Sequence, residues 1–457
     1  MAAPRRRLIA DLTPLRVSPQ YRLLLATQLA SMLGTNFTAV AVPFQVWVLS
    51  RSSLLVGLAG LVEALPLIVG MLAGGTLADA HDRRKLLLAS RLLLAAVGVG
   101  LALNVGAGRG GLGRIFVLIA LYQLLAGLGS PASTAAIPGL IPAELLPAHG
   151  ALSAIVHQGA TVVGPALAGL LIAKTGVASA YWVDVAGFAA QLALLAALRP
   201  LPPGERGTRP SVTAIVEGLR FVRAHPLVLG LLLIDLDAMV FGMPRALFPA
   251  LGTGLFHGSA TTVGLLYAAP GAGAVIAAVA SGWVGRVRRA GIAVVAAVAA
   301  WGAAITVFGL VPWLPLALAL LAVAGAGDVV SEVFRTTLLQ LAAPDALRGR
   351  ISALYLAQVS ASPRLGDAEA GTVAALSTPQ ISVISGGLAC VAGALVLAWL
   401  IPGLRRARTA APASRGEAAR PRPGTSQEAA GASASRISSA AASEAAGSAS
   451  GEANCGS

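Results

Sequence analysis

The chain has 457 residues, of which 56% are hydrophobic and only 11% charged, and its mean hydropathy is +0.79. This composition leaves too little polar surface for a soluble globular domain and predicts a polytopic membrane protein. The formal net charge of +14 does not indicate a nucleic-acid partner, because the basic residues fall in short loops between apolar runs. With only Cys390 and Cys455 present, a disulfide framework is not expected.

Residues 1–20 are predicted to form a cytoplasmic amphipathic arm. Arg5, Arg6 and Arg7 are followed by an amphipathic stretch rather than a short apolar core with a cleavage site, so the first span is expected to direct its own insertion. Twelve apolar runs of about 20 residues follow, the length that crosses about 30 Å of hydrocarbon. The predicted spans are Tyr21–Leu49, Leu54–Ala78, Leu86–Val105, Arg114–Ala136, Ala151–Ala173, Ala178–Ala197, Pro226–Ala250, Thr262–Val284, Gly291–Leu310, Leu314–Leu338, Ile351–Leu376 and Ile381–Ile401.

The distribution of Lys and Arg predicts the orientation of these spans. With both termini placed in the cytoplasm, the basic arm, the turn after span two, the loop before span seven and the tail all fall on the cytoplasmic side. The basic residues on the outer side are then Arg51, Arg109, Arg114 and Lys174. Because Lys and Arg are enriched in cytoplasmic loops, the opposite orientation is disfavoured.

The spans divide into two groups of six. Residues 199–225 contain a Pro-rich charged stretch and then a segment with helical apolar spacing, which predicts a hinge and an amphipathic helix on the cytoplasmic surface. Residues 21–198 and 226–402 are therefore predicted to be the two bundles. Residues 403–457 consist mainly of Ala, Ser, Gly, Glu and Arg, and are predicted to be a disordered cytoplasmic tail.

An internal repeat supports the division. The segment Val163–Gly169 (VGPALAG) aligns with Leu365–Gly371 (LGDAEAG), half a transport domain later. The basic cluster Arg286, Arg288 and Arg289 after span eight likewise repeats the basic turn after span two. Duplicated halves around a central cavity are common in secondary transporters.

The turn between spans two and three reads GGTLADAHDRRK. It resembles the loop signature of the major facilitator superfamily, with Gly75, Asp79, Arg83, Arg84 and Lys85 at the matching positions. Ala80 and Asp82 depart from that signature, where a basic residue and a Gly are usual. The resemblance implies an all-α protein of twelve transmembrane helices in two six-helix bundles related by a pseudo-two-fold axis.

Within that superfamily, the chain is most similar to the branch of siderophore, macrolide and multidrug efflux proteins. The segments that carry this resemblance are Trp182–Phe188, Pro244–Gly252, Leu266–Ala278 and Thr337–Tyr355. It implies export across the plasma membrane, with multidrug resistance or siderophore export as the physiological role.

Span five contains Gly164, Pro165 and Gly169, which resemble the Gly-Pro motif of drug/proton antiporters in the superfamily. A Pro inside a helix leaves a carbonyl unpaired, and neighbouring small residues allow another helix to approach closely. In the family the motif accompanies export. The alternative is that Gly and Pro are simply frequent in membrane helices.

Ionisable residues inside spans are costly, so each needs a partner or a water-filled cavity. Glu63 and Asp237 are the leading proton-coupling candidates, because neither has a cation in its own helix. Arg364 with Asp367, and Glu332 with Arg335, are interpreted as static intrahelical pairs. The complete set of coupling and cavity candidates is Glu63, Asp235, Asp237, Arg245, Asp328, Glu332, Arg364 and Asp367.

Two further titratable residues, Asp184 and His157, each allow two interpretations. Asp184, near the predicted outer end of span six, is either a further candidate or a solvated cap. His157 in span five could relay protons, but a packed His is the simpler interpretation.

In the family, the signature Asp and Arg latch the outward-open state, so Gly75, Asp79, Arg83 and Arg84 are the predicted conformational latch. Span four has no acidic residue to pair with Arg83, and Glu144 in the following loop is the nearest substitute. We expect Asp79→Asn and Arg83→Ala to impair transport without preventing insertion.

The main hypothesis is a secondary exporter of amphipathic small molecules, working by proton antiport and alternating access, as a monomer without cofactors. The alternative is a membrane sensor or assembly partner that keeps the transporter fold. An ATP-driven pump is disfavoured, since the sequence has no phosphate-binding loop, and no catalytic or metal-ligand motif indicates an enzyme. The cargo stays open between a drug, an antibiotic and a siderophore, although two in-span arginines are few for a triply anionic siderophore.

Overall fold

The computed structural model describes residues 12–136, 141–198, 212–344 and 347–408. Most of the predicted arm, the Pro-rich part of the predicted central loop and nearly all of the predicted tail lie outside these residues. The described chain is almost entirely helical. Twelve long helices are α1 (Pro19–Ser50), α2 (Ser53–Ala80), α3 (Arg83–Asn104), α4 (Leu112–Ala136), α5 (Leu146–Thr175), α6 (Val177–Ala196), α7 (Pro226–Phe241), α8 (Ala260–Val279), α9 (Ala290–Leu310), α10 (Leu314–Ala342), α11 (Arg348–Leu376) and α12 (Pro379–Leu400).

Short polar turns separate consecutive helices. Ser18 and Ser52 accept hydrogen bonds from backbone N–H groups at the starts of α1 and α2. Asp82 does the same for α3, and Thr378 for α12. Gly176, with φ of +89°, joins α5 to α6, because a residue without Cβ adopts this left-handed conformation most readily. These capped turns set the helix boundaries where the sequence changes from apolar to polar.

Eleven helices in the described part of the chain are long and apolar enough to cross a membrane. The remaining long helix, α11, has 29 residues, but Arg348, Arg350, Arg364, Asp367 and Glu369 reduce its apolarity. It packs along α2 and α7, and its charged residues Arg364, Asp367 and Glu369 are half-buried. The predicted all-α fold of twelve helices is confirmed.

The helices pack in the same way in both halves of the chain. Helix α1 contacts α5 and α6, and α2 contacts α4; in the second half α7 contacts α11 and α12, and α8 contacts α10. The two halves meet along α2 with α11 and along α5 with α8. In the two halves α2 corresponds to α8, and α5 corresponds to α11. The contact of α2 with α11 is therefore equivalent to the contact of α8 with α5, as a pseudo-two-fold axis requires.

Glycine pairs make the two contacts between the halves close. A Cβ on Gly169 would lie 2.5 Å from the carbonyl oxygen of Ala260 and 2.7 Å from Cα of Gly264. At the equivalent crossing, a Cβ on Gly371 would lie 2.6 Å from the carbonyl oxygen of Ser53 and 3.0 Å from Cα of Gly57. Gly169 and Gly371 end the two copies of the sequence repeat, so the repeat marks matching helix crossings.

Span seven is shorter as a regular helix than the predicted Pro226–Ala250. Helix α7 ends at Phe241, and the chain continues through a 3₁₀ turn, Arg245–Leu247, to a π-helical turn, Leu251–Leu255. Pro244 cannot donate a backbone hydrogen bond. The carbonyl of Gly242 instead accepts a hydrogen bond of 2.6 Å from Nε1 of the fully buried Trp301, which satisfies the interrupted backbone at membrane depth.

The predicted amphipathic helix of the central loop is present as Val212–Ala224. It contacts the first part of α11, where Arg350 forms an ion pair with Glu217. Both of these side chains are exposed. The amphipathic helix Val212–Ala224 therefore attaches the segment between the two halves to the first part of α11.

Gly169→Val is expected to force α5 and α8 apart, because no side chain fits between Gly169 and the α8 backbone. Spin labels on cysteines at Lys174 and Gly254, in a background with Cys455 replaced by Ser, should report an increased distance between the two halves. The matched control is Gly159→Val on the same helix, since a Cβ at Gly159 meets no atom within 4 Å. Equal distances in the two variants would contradict the assigned contact.

Candidate functional site

A cavity of about 440 Å³ lies between the two halves. Its walls come from α1, α2, α4 and α5 of the first half, and from α8, α11 and the irregular segment after α7 of the second. Most of the lining side chains are small, apolar or hydroxyl-bearing. Four lining residues are charged: Glu63, Arg245, Arg364 and Asp367. All four belong to the candidates selected from the sequence.

Glu63 and Arg364 face each other across the cavity, from α2 and α11. Arg364 Nε lies 3.8 Å from Glu63 Oε2, which is too long for a hydrogen bond. Gln123 on α4 donates a hydrogen bond of 2.7 Å to the same Oε2 atom. Both charged side chains are about one-fifth exposed. They attract each other while leaving hydrogen-bonding capacity for a third group.

Asp367 and Arg245 connect the irregular segment after α7 to the cavity wall. The backbone N–H of Ala246 donates to Asp367 Oδ1 at 2.9 Å, and the hydroxyl of Tyr267 on α8 donates to the Arg245 carbonyl oxygen, also at 2.9 Å. Asp367 thus satisfies a backbone donor that a regular helix would have paired. The predicted intrahelical pair of Arg364 with Asp367 is replaced by contacts of each residue with other helices.

The second predicted static pair is also replaced. Arg335 on α10 forms an ion pair of 2.7 Å with Asp235 on α7, and both side chains are fully buried. Gln358 on α11 donates to the second oxygen of Asp235 at 2.9 Å. Glu332, the predicted partner of Arg335, is exposed. The spacing along one helix could not show the partner, because the partner lies on another helix.

The remaining carboxylate candidates do not line the cavity. Asp237 is directed toward α12, where a Cβ on Gly393 would collide with its carboxylate, and its Oδ2 is buried without a hydrogen bond to the described residues. Asp328 is half-buried on α10. Asp235 and Asp237, two residues apart on α7, therefore have different neighbours, Arg335 on α10 and Gly393 on α12.

The signature turn is attached to α6. Arg84 Nε and Nη2 donate to the carbonyl oxygens of Leu195 and Ala196, at 3.0 and 2.7 Å. A guanidinium suits this position because the last carbonyls of a helix lack intrahelical donors and carry partial negative charge. Gly75 has open space around it, and Arg83 is the first residue of α3. The side chain of Asp79 lies outside the described residues.

The Gly-Pro motif on α5 faces two neighbours. A Cβ on Gly164 would lie 2.6 Å from the Cβ of Asn36 on α1. Pro165 lines the cavity, and its carbonyl oxygen would lie 2.5 Å from a Cβ on Gly264. The motif therefore brings α5 close to α1 within its own half and close to α8 of the other half.

Asp184 is not a solvated cap. Its side chain on α6 is 1% exposed, and Oδ2 accepts hydrogen bonds from the hydroxyls of Thr38 at 2.6 Å and Tyr122 at 2.9 Å. Thr38 and Tyr122 both line the cavity, so Asp184 lies directly behind the cavity wall. The position of Asp184, two turns inside the helix, is the feature of the sequence that indicates a buried carboxylate. Its hydroxyl partners on α1 and α4 could not be identified from the sequence.

Comparison with known proteins identifies the family. Residues 9–420 match the model of the transmembrane secretion effector family, a branch of the major facilitator superfamily. The chain is 32% identical over 408 residues to the enterobactin exporter EntS of Citrobacter koseri, covering 89% of this chain and 98% of the relative.

Solved structures show the same fold at low sequence identity. The chain superposes on a variant of the nucleoside transporter NupG with a TM-score of 0.67 and 11% identity, covering 84% of this chain and 99% of the other. The inward open conformation of the xylose transporter XylE from E. coli gives a TM-score of 0.63 and 17% identity, covering 85% and 96%. The chain therefore belongs to the transmembrane secretion effector family of the major facilitator superfamily, as a multi-pass inner-membrane transporter rather than an enzyme.

Arg335→Met is expected to destabilise the protein by about 3–5 kcal/mol, because it leaves Asp235 as a buried charge without its cation. The control is Arg350→Met, which breaks the exposed pair with Glu217 and should cost about 0–1 kcal/mol. Thermal unfolding of the two variants in the same detergent measures the difference. A destabilisation by Arg335→Met no greater than that of the control would contradict the assigned pair.

Proposed function

We propose that this member of the transmembrane secretion effector family exports amphipathic small molecules by proton antiport and alternating access. The observation that carries the proposal is the cavity between the halves, in which two acidic and two basic side chains face one another across an otherwise uncharged wall. The family match and the exporter among its relatives support export as the direction of transport.

The lining of the cavity favours a cargo with little net charge. Glu63 and Asp367 together balance the formal charges of Arg245 and Arg364, and the remaining lining residues are neutral. A strongly charged cargo would upset this balance in a region of low dielectric constant. An amphipathic compound could instead place its polar groups against Arg364 and Glu63 while its apolar part contacts the cavity wall.

The pair of Glu63 and Arg364 is suited to reversible binding. Because the two groups lie 3.8 Å apart and are not hydrogen-bonded to each other, a polar group of the cargo could approach from the cavity and hydrogen-bond to Arg364. Glu63 would then compete with the cargo for the guanidinium. Since the pair joins α2 to α11, the charge state of the cavity would influence how closely the two halves approach.

The close glycine contacts, and the hydrogen bond of 2.9 Å from Trp47 to Thr253, lie toward the end of the bundle where α1 connects to α2. With the basic turn between α2 and α3 in the cytoplasm, this closed end faces outward. We therefore assign the structure to a state closed toward the outside. Both termini would be cytoplasmic, and each half would contribute one helix to each outer contact, so a monomer would suffice for transport.

The first test measures transport in proteoliposomes with an imposed pH gradient. Enterobactin, because of the named relative, and a macrolide, as a neutral or weakly charged amphipathic compound, are compared side by side. Accumulation should depend on the gradient and disappear with an uncoupler. Transport of neither compound, or transport indifferent to the uncoupler, would contradict the proposed function.

Glu63→Gln should reduce the apparent affinity for the cargo and the gradient-driven rate by about tenfold, a coupling energy typical of linked sites. The matched control is Glu369→Gln, since Glu369 is half-buried on α11 but does not line the cavity. Concentration dependence of initial rates for both variants measures the effect. Equal kinetics in Glu63→Gln and the control would show that Glu63 does not contribute to cargo binding or coupling.

A further inference from the structure

Asp184 is a buried carboxylate that contacts the cavity only through other side chains. It lies on α6, which does not line the cavity, and the residues in between are Thr38 on α1 and Tyr122 on α4. Both hydroxyls donate to the same oxygen, Oδ2. The other oxygen, Oδ1, is buried and has no hydrogen-bond partner among the described residues.

We propose that Asp184 is a proton-binding site of the transporter, and that Thr38 and Tyr122 communicate its charge state to the cavity. This proposal rests on the proposed function, for which it supplies the group that exchanges the coupling proton. It assigns proton binding to a residue outside the cavity, in addition to the charged residues that face the cargo.

The geometry allows Asp184 to gain a proton without losing a hydrogen bond. Because Oδ2 already accepts from two hydroxyls, the incoming proton adds to the free Oδ1 atom. The negative charge is then removed while the contacts of Oδ2 remain in place. A buried polar atom without a hydrogen-bond partner needs an explanation, and a proton taken up at Oδ1 supplies one.

The titratable and charged groups around Asp184 come from three helices. Arg91 on α3 interacts with it electrostatically, as do Tyr122 on α4 and Tyr181 on α6 itself. Helix α1 contributes Thr38 and the backbone of Gly34. The hydroxyl of Tyr181 donates its hydrogen bond to Gln45, at 2.7 Å. Arg91 is therefore the cation that balances the ionised form.

Protonation would change the cavity wall through the two hydroxyls. A charged oxygen accepts stronger hydrogen bonds than a neutral one, so adding a proton loosens the attachment of Thr38 and Tyr122 to Asp184. While Asp184 is ionised, both hydroxyl hydrogens are held toward Oδ2, and the hydroxyl oxygens can accept hydrogen bonds from a cargo in the cavity. The adjacent residue on α4, Gln123, donates to Glu63, so α4 contacts both the proposed proton site and the cavity acid.

By linkage, a cargo that donates hydrogen bonds to these hydroxyl oxygens lowers the proton affinity of Asp184 by the same factor by which protonation weakens binding of the cargo. This is the relation that antiport requires, since cargo and proton then favour different states of one site. The cargo and the proton need not be in contact with each other.

The proposal is tested by two measurements on the purified full-length protein in lipid. The first is pH-difference infrared spectroscopy, which detects the carbonyl stretch that appears when a carboxylate gains a proton. Asp184→Asn should lack one such band of the wild-type spectrum, whereas Asp237→Asn and Glu63→Gln should retain that band. The band persisting in Asp184→Asn would overturn the proposal, whether or not any cargo is transported.

The second measurement separates coupling from cargo binding in proteoliposomes, with enterobactin or the macrolide as the probe, whichever the wild type transports. Asp184→Asn should lower gradient-driven accumulation about tenfold or more and leave exchange of labelled for unlabelled probe, without a gradient, near wild type. Equal losses of accumulation and exchange would indicate a structural role and overturn the proposal, as would unchanged accumulation.

A pair of threonine variants controls for folding while keeping the carboxylate. Thr38→Val removes one hydrogen bond to Asp184 and should reduce accumulation more than exchange. Thr27→Val is the matched control on the same helix, because buried Thr27 donates to the carbonyl oxygen of Leu23 at 2.9 Å and does not line the cavity. Indistinguishable accumulation in the two variants would exclude the hydroxyl of Thr38 from the coupling. If neither probe moves in the wild type, the infrared comparison alone decides the role of Asp184.

Discussion

The energetic cost of an ionised side chain in hydrocarbon governs the arrangement of the spans. Two groups of in-span charges among the described residues meet this cost in different ways. Asp235 and Arg335 neutralise each other in a fully buried pair supported by Gln358. Glu63, Arg245, Arg364 and Asp367 instead surround the cavity. The first arrangement holds α7, α10 and α11 together, whereas the second keeps charges where a cargo can reach them.

A second constraint is the contact between the halves. Each crossing is formed by one helix from each half, with glycines facing each other at Gly57 with Gly371 and Gly169 with Gly264. Side chains of ordinary size would prevent the approach, so the sequence keeps glycine at both crossings. Within this symmetry the two copies of the repeat differ at three positions, and at one of them Pro165 in the first copy corresponds to Asp367 in the second. The duplicated scaffold thus places a helix-bending residue in one half and a charged one in the other.

Apolar runs and charge distribution predicted twelve spans in two groups of six, because each span must be long, apolar and bounded by polar turns. The resemblance to the major facilitator superfamily implied the pseudo-two-fold axis. Reasoning from the residues also selected the four charged cavity residues, since such groups have few alternatives inside a membrane. It assigned the wrong partners to Arg335 and Arg364, because intrahelical spacing ignores contacts between helices. It also treated span seven as one regular helix, since the donor that stabilises the break, Trp301, lies some sixty residues away along the chain.

Asp184 shows most clearly what a single sequence does not contain. In the sequence it is one carboxylate near the start of an apolar run, and a further coupling candidate and a solvated cap are equally good interpretations. In the structure its environment depends on α1, α3 and α4 at once. A carboxylate placed behind the wall can be charged or neutral without competing directly with the cargo. Under the proposed mechanism, the cavity can therefore keep its balanced charges for recognition, while proton binding takes place one layer deeper in the first half.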